Sequence, residues 1–470
     1  MTRRKTRRDF MGQSATIAAG YWIGSQAISR AQTSALNSLS AASVGVGGKG
    51  GSDSSHISEQ GVRIVGICDV DQRTLTKKAR EFPDAVHHTD YREMLDSLGD
   101  KVDVVTVSTP DHNHACAAIK AMRMKKHVYC QKPLTWSIYE ARMMREVAQQ
   151  MGVVTQMGNQ GTSEDGLREA VEVVRSGALG DVTEVHVWTN RPVWPQGVGR
   201  KAGEDPVPKE LNWDAWIGPA PMRPYKEGEY HTFNWRGWVD FGTGALGDMA
   251  CHTCNLPVMS LELWDPIAVT AVKNPGIFEN ETFPAATMLK FEFPKRNNLV
   301  ACNFYWYDGG NLPSEDLLSN LPERFRLRIA KQREGGQKTS AALIVGSKGM
   351  LLSENDYGAA YTLLPTESFK DYKKPEPTLP RIPHVPEAKG GDQRQKWEFV
   401  QTIKGEYKPG TMSNFGYAGR LTETILVGNL AVRAGEGQRI EWDAKSMKST
   451  NLPELNKYVH REYRSGWTLG

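Results

Sequence analysis

Glycines with the spacing of a phosphate-binding loop lie near the beginning of the chain. Gly45, Gly47 and Gly50 form the pattern Gly-x-Gly-x-x-Gly, and Gly48 lies between them. Glycine allows the backbone to turn tightly and to approach a pyrophosphate, which rests on the N-terminus of the following helix. Asp69 ends the next apolar run, about 20 residues further on, where a carboxylate can bind the ribose hydroxyls of adenosine. The pattern therefore predicts a dinucleotide site.

The charge of Asp69 makes NAD the expected cofactor and NADP the less favoured one. The 2′-phosphate of NADP would meet the Asp69 carboxylate, and like charges repel. Arg73 lies four residues further on and could compensate for that charge. A glycine-rich tail in front of a folded domain is the alternative interpretation of the loop itself.

Three residues have the chemistry to move a proton at a substrate hydroxyl. Lys132 follows another apolar run, and a lysine at the end of a strand can donate to a hydroxyl or carbonyl oxygen. Asp248 and His252 are four residues apart, so on a helix they share one face. An aspartate there can fix the orientation and tautomer of a histidine base. The alternatives are a surface lysine and a structural Asp–His pair.

Two histidine-containing segments could in principle bind a metal. His112 and His114 follow the third apolar run, but no cluster of carboxylates or cysteines accompanies them. Cys251 and Cys254 flank His252, yet no second cysteine pair lies nearby. We therefore predict no metal site, and we expect these residues to serve in helix capping, packing and contact with a cofactor.

An aromatic tract precedes Asp248. Indole rings can stack on the C–H faces of a sugar while neighbouring polar groups meet its hydroxyls. From this tract, Trp235, Arg236 and His231 are the candidate substrate-binding residues. Core packing of an irregular segment is the alternative. The other tryptophans of the tract are Trp213, Trp216 and Trp238.

The elements that must position these residues alternate between strands and helices. Apolar runs at 39–44, 63–69, 102–108, 127–130 and 153–156 are separated by segments of helical spacing. Such alternation predicts a parallel, doubly wound sheet, whose ligands bind beyond the carboxyl ends of the strands. After residue 156 the later strands show partial alternation, which is typical of an antiparallel sheet in a second α/β domain. The polar, basic segment 308–339 is predicted to be a surface insertion.

The first 31 residues have the form of an export signal. A twin-arginine motif containing Arg7 and Arg8 precedes an apolar stretch and a small-residue site that ends at Ala31. These residues contain six basic residues and one acidic residue, a balance of +5 in a chain whose formal charge is +4, so the remainder carries −1. The basic balance is therefore no argument for nucleic acid as a partner. We predict export to the periplasm without a membrane anchor.

In their order along the chain, these motifs resemble the Gfo/Idh/MocA oxidoreductases, the family of glucose–fructose oxidoreductase and inositol 2-dehydrogenase. The motifs are the glycine loop, the Thr109-Pro110-x-x-x-His114 segment, the Gln131-Lys132-Pro133 segment and the Asp248-x-x-x-His252 pair. The resemblance implies a Rossmann NAD-binding domain at 36–156. It also implies a C-terminal domain at 157–470 for substrate binding and oligomerisation, with a large, mostly antiparallel sheet.

The resemblance also implies roles for individual residues. Lys132 would contact the reacting hydroxyl and the cofactor, His252 would be the acid/base, and Asp248 would assist it. The Thr109–His114 segment would contact the cofactor, and Asn159 would line the nicotinamide pocket. The family usually has glutamate where this chain has Gln131. A homo-oligomer is expected on the same ground.

The expected function is that of a periplasmic NAD-dependent oxidoreductase acting on a sugar, a cyclitol or a glycoside. Because the periplasm lacks a free NAD pool, the cofactor is expected to be tightly held and recycled within each catalytic cycle. One alternative is an NAD-dependent glycoside hydrolase that works by transient oxidation. Another is a non-catalytic protein that binds a sugar or a nucleotide.

Overall fold

The computed structural model describes residues 39–386 and 388–469. The predicted export signal lies outside these residues. Among the helices of the described ranges, none combines the length and the apolar character that a bilayer-spanning helix needs.

The first part of the chain forms a six-stranded parallel sheet. Its strands are β1 (Ser40–Val44), β2 (Arg63–Cys68), β3 (Val86–His88), β4 (Val104–Val107), β5 (His127–Cys130) and β6 (Thr155–Met157). The helices are α1 (Gly48–Glu59), α2 (Gln72–Ala79), α3 (Tyr91–Leu98), α4 (Asp111–Arg123) and α5 (Ile138–Met151). The strand order β3-β2-β1-β4-β5-β6 reverses at β1 and β4, and this confirms the predicted doubly wound sheet.

The second part of the chain forms a nine-stranded sheet. Its strands are β7 (Val182–Trp188), β8 (Ala268–Lys273), β9 (Met288–Phe293), β10 (Cys302–Tyr307), β11 (Ala341–Gly346), β12 (Met350–Ser353), β13 (Thr362–Leu364), β14 (Arg439–Asp443) and β15 (Lys448–Ser449). The order is β13-β12-β11-β7-β10-β9-β8-β14-β15, and β7 with β10 is its parallel pair. The other neighbours that pair are antiparallel, as predicted.

Eight helices of the described residues belong to this second part. They are α6 (Asp165–Arg175), α7 (Trp213–Ile217), α8 (Gly244–Thr253), α9 (Asn255–Leu261), α10 (Glu315–Ser319), α11 (Glu323–Arg333), α12 (Gly390–Lys404) and α13 (Phe415–Ala434). Segment 308–339 contains α10 and α11 and is not a simple surface insertion. Leu318 and Phe325 are buried there, and they pack with Trp188 and Leu343 of the large sheet.

The C-terminal helices α12 and α13 return to the parallel sheet. Phe399 and Val400 of α12 share a buried cluster with Ala41 of β1 and Tyr129 of β5. Helix α13 packs closely on α5, since a Cβ at Gly419 would lie 3.0 Å from the carbonyl oxygen of Ala141. Residues far apart in the chain therefore meet at the edge of the sheet where β1, β4, β5 and β6 end.

Candidate active site

The glycine loop joins β1 to α1 and is shaped by close backbone contacts. Gly45 has a φ of +78°, and a Cβ there would lie 2.6 Å from the carbonyl oxygen of Ser108. A Cβ at Gly50 would lie 2.0 Å from the carbonyl oxygen of Gly45, so both positions require glycine. Gly48 has a φ of +48° and open space where a Cβ would be, and Gly47 immediately precedes α1. The loop thus presents open backbone at the N-terminus of a helix, which fits a pyrophosphate.

Asp69 lies beneath this loop at the end of β2. Its carboxylate accepts hydrogen bonds from the backbone amides of Val46 and Gly47, at 3.0 and 3.1 Å, and of Asp71, at 3.0 Å. Burial raises the pKa of Asp69, and the three amide donors oppose that shift. Arg73 is held by Asp71 through contacts of 2.9 and 2.7 Å. Because Arg73 already has this partner, it is poorly placed to receive a 2′-phosphate, and NAD remains the favoured cofactor.

The Thr109–His114 segment follows β4 and contacts the residues that follow β5. Pro110 precedes α4, and the ring nitrogens of His114 lie 2.8 Å from the carbonyl oxygens of both Thr109 and Pro133. Burial lowers the pKa of His114 to about 4. The ring nitrogens of His112 also face two backbone carbonyls, at 3.2 and 2.9 Å. A neutral imidazole carries one N–H, so each ring donates to one of its two carbonyls and packs against the other at the sheet edge.

The described residues contain no group of three histidine, cysteine or carboxylate side chains arranged to hold a metal ion. Cys251 and Cys254 are buried, and burial raises the pKa of the Cys251 thiol to about 12. They lie on and just after α8, where they pack in the core shared by both sheets.

Lys132 reaches from the end of β5 to the helix that carries Asp248. Its Nζ lies 2.9 Å from a carboxylate oxygen of Asp248 and 2.9 Å from the Asp248 carbonyl oxygen. Arg236 donates from Nε to the same carboxylate oxygen at 3.1 Å. Burial by itself would raise the pKa of Asp248, but the two cations lower it to about 2. Asp248 is therefore an anion shared by two cations.

His252 lies one turn after Asp248 on α8, as predicted, but the carboxylate of Asp248 does not bind it. Within the described residues the His252 Nδ1 is buried without a hydrogen-bond partner, so no neighbour fixes its tautomer. Burial, and then the charge of Lys132, lower its pKa to about 3, and the ring is neutral. Its edge meets the ring of Tyr357 at 5.1 Å between centroids. Asp248 orients Lys132 instead, because two cations compete for its oxygen better than a neutral ring does.

Asn159 follows β6 and is buried next to α8. Its side-chain amide donates to the carbonyl oxygen of Cys251 at 3.3 Å, and its oxygen accepts from the hydroxyl of Ser413. It therefore connects the end of the parallel sheet with α8. Its predicted role at a nicotinamide pocket stays a prediction.

The aromatic tract divides into a packed core and an edge near Asp248. The guanidinium of Arg236 lies 4.3 Å from the ring centroid of Trp235 and 4.5 Å from that of Phe233. Phe233 is half exposed, whereas Trp235 is buried. Trp235 belongs to a buried cluster together with Trp213, Trp216, Tyr230, Trp238 and Phe241, so Phe233 and Arg236 form the edge near Asp248. The predicted role of Trp235 in substrate binding stays a prediction.

His231, the third candidate substrate-binding residue, lies close to Trp216. Its ring meets the edge of Trp216 at 6.4 Å, and burial lowers its pKa while the charge of Asp71 opposes that shift. Since the preceding residue, Tyr230, is fixed in the aromatic cluster, His231 faces the loop that follows β2. Its predicted role in substrate binding stays a prediction.

Asp111 is a residue of this site that sequence reasoning missed. It begins α4, and one carboxyl oxygen accepts from the Thr243 hydroxyl at 2.7 Å. Its other oxygen is buried without a partner within the described residues, and burial raises its pKa to about 7. The available signal was its position, directly after Thr109-Pro110 at the end of a strand.

Two family models match the chain. One, described as the oxidoreductase family with an NAD-binding Rossmann fold, matches residues 39–159. The other, described as the C-terminal alpha/beta domain of the oxidoreductase family, matches residues 166–267.

Individual relatives agree with these matches. The inositol 2-dehydrogenase of Salmonella typhimurium is 28% identical over 130 residues, which are 27% of this chain and 38% of that enzyme. The chain thus spans less than half the length of the curated relatives it matches. The WlbA dehydrogenase of Bordetella pertussis, solved with NADH and UDP-GlcNAcA, has a TM-score of 0.56 at 15% identity over 86% of this chain and 99% of that one.

The aldose-aldose oxidoreductase of Caulobacter crescentus, solved with glycerol, has a TM-score of 0.53 at 16% identity over 86% of this chain and 99% of that one. At such identities the structures show a shared fold. The two family models match residues 39–159 and 166–267, and over these residues the chain belongs to the Gfo/Idh/MocA oxidoreductase family, with that family's NAD-binding Rossmann domain first.

Proposed function

We propose that this protein oxidises or reduces a hydroxyl-bearing carbon of a sugar, a cyclitol or a glycoside. The contact between Lys132 and Asp248 carries the proposal. It brings a lysine from the end of β5 onto the helix that bears His252. A hydrogen-bond donor and a neutral imidazole thus lie together at the edge where the Rossmann sheet binds its cofactor.

The glycine loop and Asp69 are the groups that would hold the cofactor. The backbone amides at the start of α1 would hold the pyrophosphate, and Asp69 would accept from the ribose hydroxyls. Bound NAD supplies a hydride acceptor for the carbon that carries the reacting hydroxyl.

The protein's own residues would handle the proton. Lys132 donates a hydrogen bond to the substrate oxygen, and the Asp248 carboxylate keeps its ammonium in place. A pKa of about 3 leaves His252 neutral at physiological pH and makes it a weak base, so it would accept the hydroxyl proton only in concert with transfer of the hydride. The guanidinium of Arg236 and the aromatic edge formed with Phe233 would border the sugar.

We further propose that the enzyme is periplasmic and keeps its cofactor bound between turnovers. The twin-arginine signal supports export of a chain that has folded around its nucleotide. An enzyme without a free NAD pool must regenerate its cofactor on a second substrate or later in the same reaction. The likeness in fold to an aldose-aldose oxidoreductase favours two coupled sugar reactions over redox-assisted cleavage of a glycoside.

Two experiments test this function. Denaturing the purified protein and identifying the released nucleotide by mass spectrometry should give NAD or NADH. The protein should then convert at least one member of a panel of aldoses, cyclitols and glycosides, and His252→Ala should abolish most of that conversion. Binding of a sugar without conversion of any panel member would favour the non-catalytic alternative, and release of an aglycone would favour the hydrolase.

A homo-oligomer also remains a proposal, supported by the family resemblance. Size-exclusion chromatography with light scattering would give the mass in solution.

A further inference from the structure

The structure gives a reason for Gln131, which stands where the family usually has glutamate. The side-chain amide of Gln131 donates to a carboxylate oxygen of Asp53, on α1, at 2.8 Å. The hydroxyl of Ser108 donates to the same oxygen at 2.9 Å. Asp53 is fully buried, at 0% exposure. A buried carboxylate thus already lies next to the segment that carries Lys132.

The other oxygen of Asp53 is bound by two lysines from opposite ends of the sequence. Nζ of Lys49, in the glycine loop's helix, and Nζ of Lys396, in α12, each lie 2.6 Å from it. Asp392 is 2.6 Å from Lys396 and 2.9 Å from Lys49, and His56 contacts the same Asp392 carboxylate at 2.9 Å. Two lysine charges therefore balance two aspartate charges.

Lys396 is the unusual member of this cluster because its side chain is fully buried, at 0% exposure. Its ammonium also lies 4.4 Å from the ring centroid of Tyr129, on β5. Burial opposes ionisation of both Asp53 and Lys396, yet their mutual attraction lowers the pKa of Asp53 and raises that of Lys396. Both remain charged, as expected for a buried ion pair with good geometry.

A glutamate at position 131 would not fit this arrangement. Its carboxylate would replace the amide that donates to Asp53 at 2.8 Å, so two carboxylates would be in contact. The side chain cannot turn towards Gly158, on which it packs so closely that a Cβ there would be 2.5 Å from the Gln131 amide nitrogen. Its oxygen faces the backbone amide of Lys132 at 3.4 Å.

We propose that Asp53 supplies the carboxylate that the family usually places before the lysine, and that Lys396 is its counter-ion from the C-terminal part of the chain. In this arrangement Asp53, Lys396 and Gln131 are positioning residues that hold the Lys132 segment against α1. The effect of these three residues on turnover rests on the proposed function. Their effect on the stability of the fold does not.

An exchange of the two side chains tests the proposal. The variants are Gln131→Glu, Asp53→Asn and the double variant, in the full chain. In the double variant the amide introduced at position 53 can donate to the carboxylate introduced at position 131, and the total charge of the cluster is unchanged. Gln150→Glu, on the exposed end of α5, is the control for adding one negative charge.

The pH dependence of thermal unfolding, measured without substrate, is the first readout. Gln131→Glu should melt below the unmutated protein at about pH 8, and the deficit should shrink towards about pH 5 as the carboxylate pair takes up a proton. The double variant should recover most of the deficit in melting temperature at the higher pH. The Gln150→Glu control should show only the small loss of a negative charge in the last turn of a helix. Turnover is the second readout. Gln131→Glu should lose about tenfold or more in kcat with little change in NAD affinity, and the double variant should regain most of it.

The proposal is overturned if Gln131→Glu melts like the unmutated protein at every pH, or if the double variant is no more stable than either single variant. It is also overturned if stability recovers while kcat does not, because Asp53 would then be structural only. If the unmutated protein turns over no substrate of the panel, only the proposed function fails. The melting data then still test whether positions 53 and 131 can exchange their carboxylate and amide groups.

Discussion

Replacing Asp248 by asparagine removes the one carboxylate that Lys132 and Arg236 share. In the structure the same Asp248 oxygen lies 2.9 Å from the lysine nitrogen and 3.1 Å from the guanidinium nitrogen. An amide of the same shape leaves two cations beside a neutral group in a buried site. We therefore expect Asp248→Asn to lower both the stability of the fold and the rate of the proposed reaction.

The stability loss follows from the pKa of Asp248, which is about 2 in the fold against an ordinary value of 3.8. A difference of nearly two units corresponds to about 2.5 kcal/mol of free energy of unfolding. Because the pKa is depressed in the folded state, this stabilisation is fully present above the ordinary value and is lost as the pH falls through about 2. At neutral pH the Asp248→Asn variant should therefore lose all of this stabilisation, about 2.5 kcal/mol. Its turnover should fall by about 10²-fold, since Lys132 is no longer held.

Urea unfolding at neutral pH and kcat with the panel's best substrate measure the two effects. Asp214→Asn is a matched control because Asp214 pairs with Arg464 at the surface, where a salt bridge contributes about 0–1 kcal/mol. If Asp248→Asn is no more destabilising than this control and keeps its turnover, the shared carboxylate does not hold Lys132. Lys132→Met combined with Asp248→Asn should cost less than the two single effects together, because both remove one contact.

Three further predictions concern the base, the cofactor and export. His252→Ala should lower turnover by about 10²–10⁴-fold with little loss of NAD affinity, as measured by steady-state kinetics and nucleotide titration; unchanged kcat would exclude His252 as the base. Asp69→Ala should weaken NAD binding and reduce the preference for NAD over NADP. The reason is that the acceptor for the ribose hydroxyls is lost while Arg73 stays bound to Asp71. Equal binding of NAD and NADP by the unmutated protein would contradict this prediction. Replacing Arg7 and Arg8 by lysine should leave the precursor in the cytoplasm, and its recovery from the periplasmic fraction would refute the export signal.

Local patterns were sufficient to predict the strands that end at the site. The buried parallel strands have continuous apolar runs, and their ends locate Gly45, Asp69, Thr109 and Lys132. Strand β3 was missed because it is three residues long and its residues are half-buried or exposed, so it has no apolar run.

Partners far apart in the sequence could not be predicted in the same way. The spacing of Asp248 and His252 correctly indicated one helix face, but spacing cannot show which neighbour the carboxylate binds. Lys396 and Asp53 are separated by more than 300 residues, and neither lies in a motif. Their pairing depends on α12 returning to the parallel sheet, which only the folded chain shows.

Two charged clusters hold the Gln131–Lys132 segment from opposite sides. Asp248, which also accepts from Arg236, binds Lys132 from the second part of the chain, while Asp53 binds Gln131 from α1. Each cluster combines groups from both parts of the chain, because Lys396 of α12 forms an ion pair with Asp53 of α1. The final geometry of the segment therefore depends on the packing of the C-terminal helices on the parallel sheet. Export in the folded state, as proposed above, would keep such a site assembled.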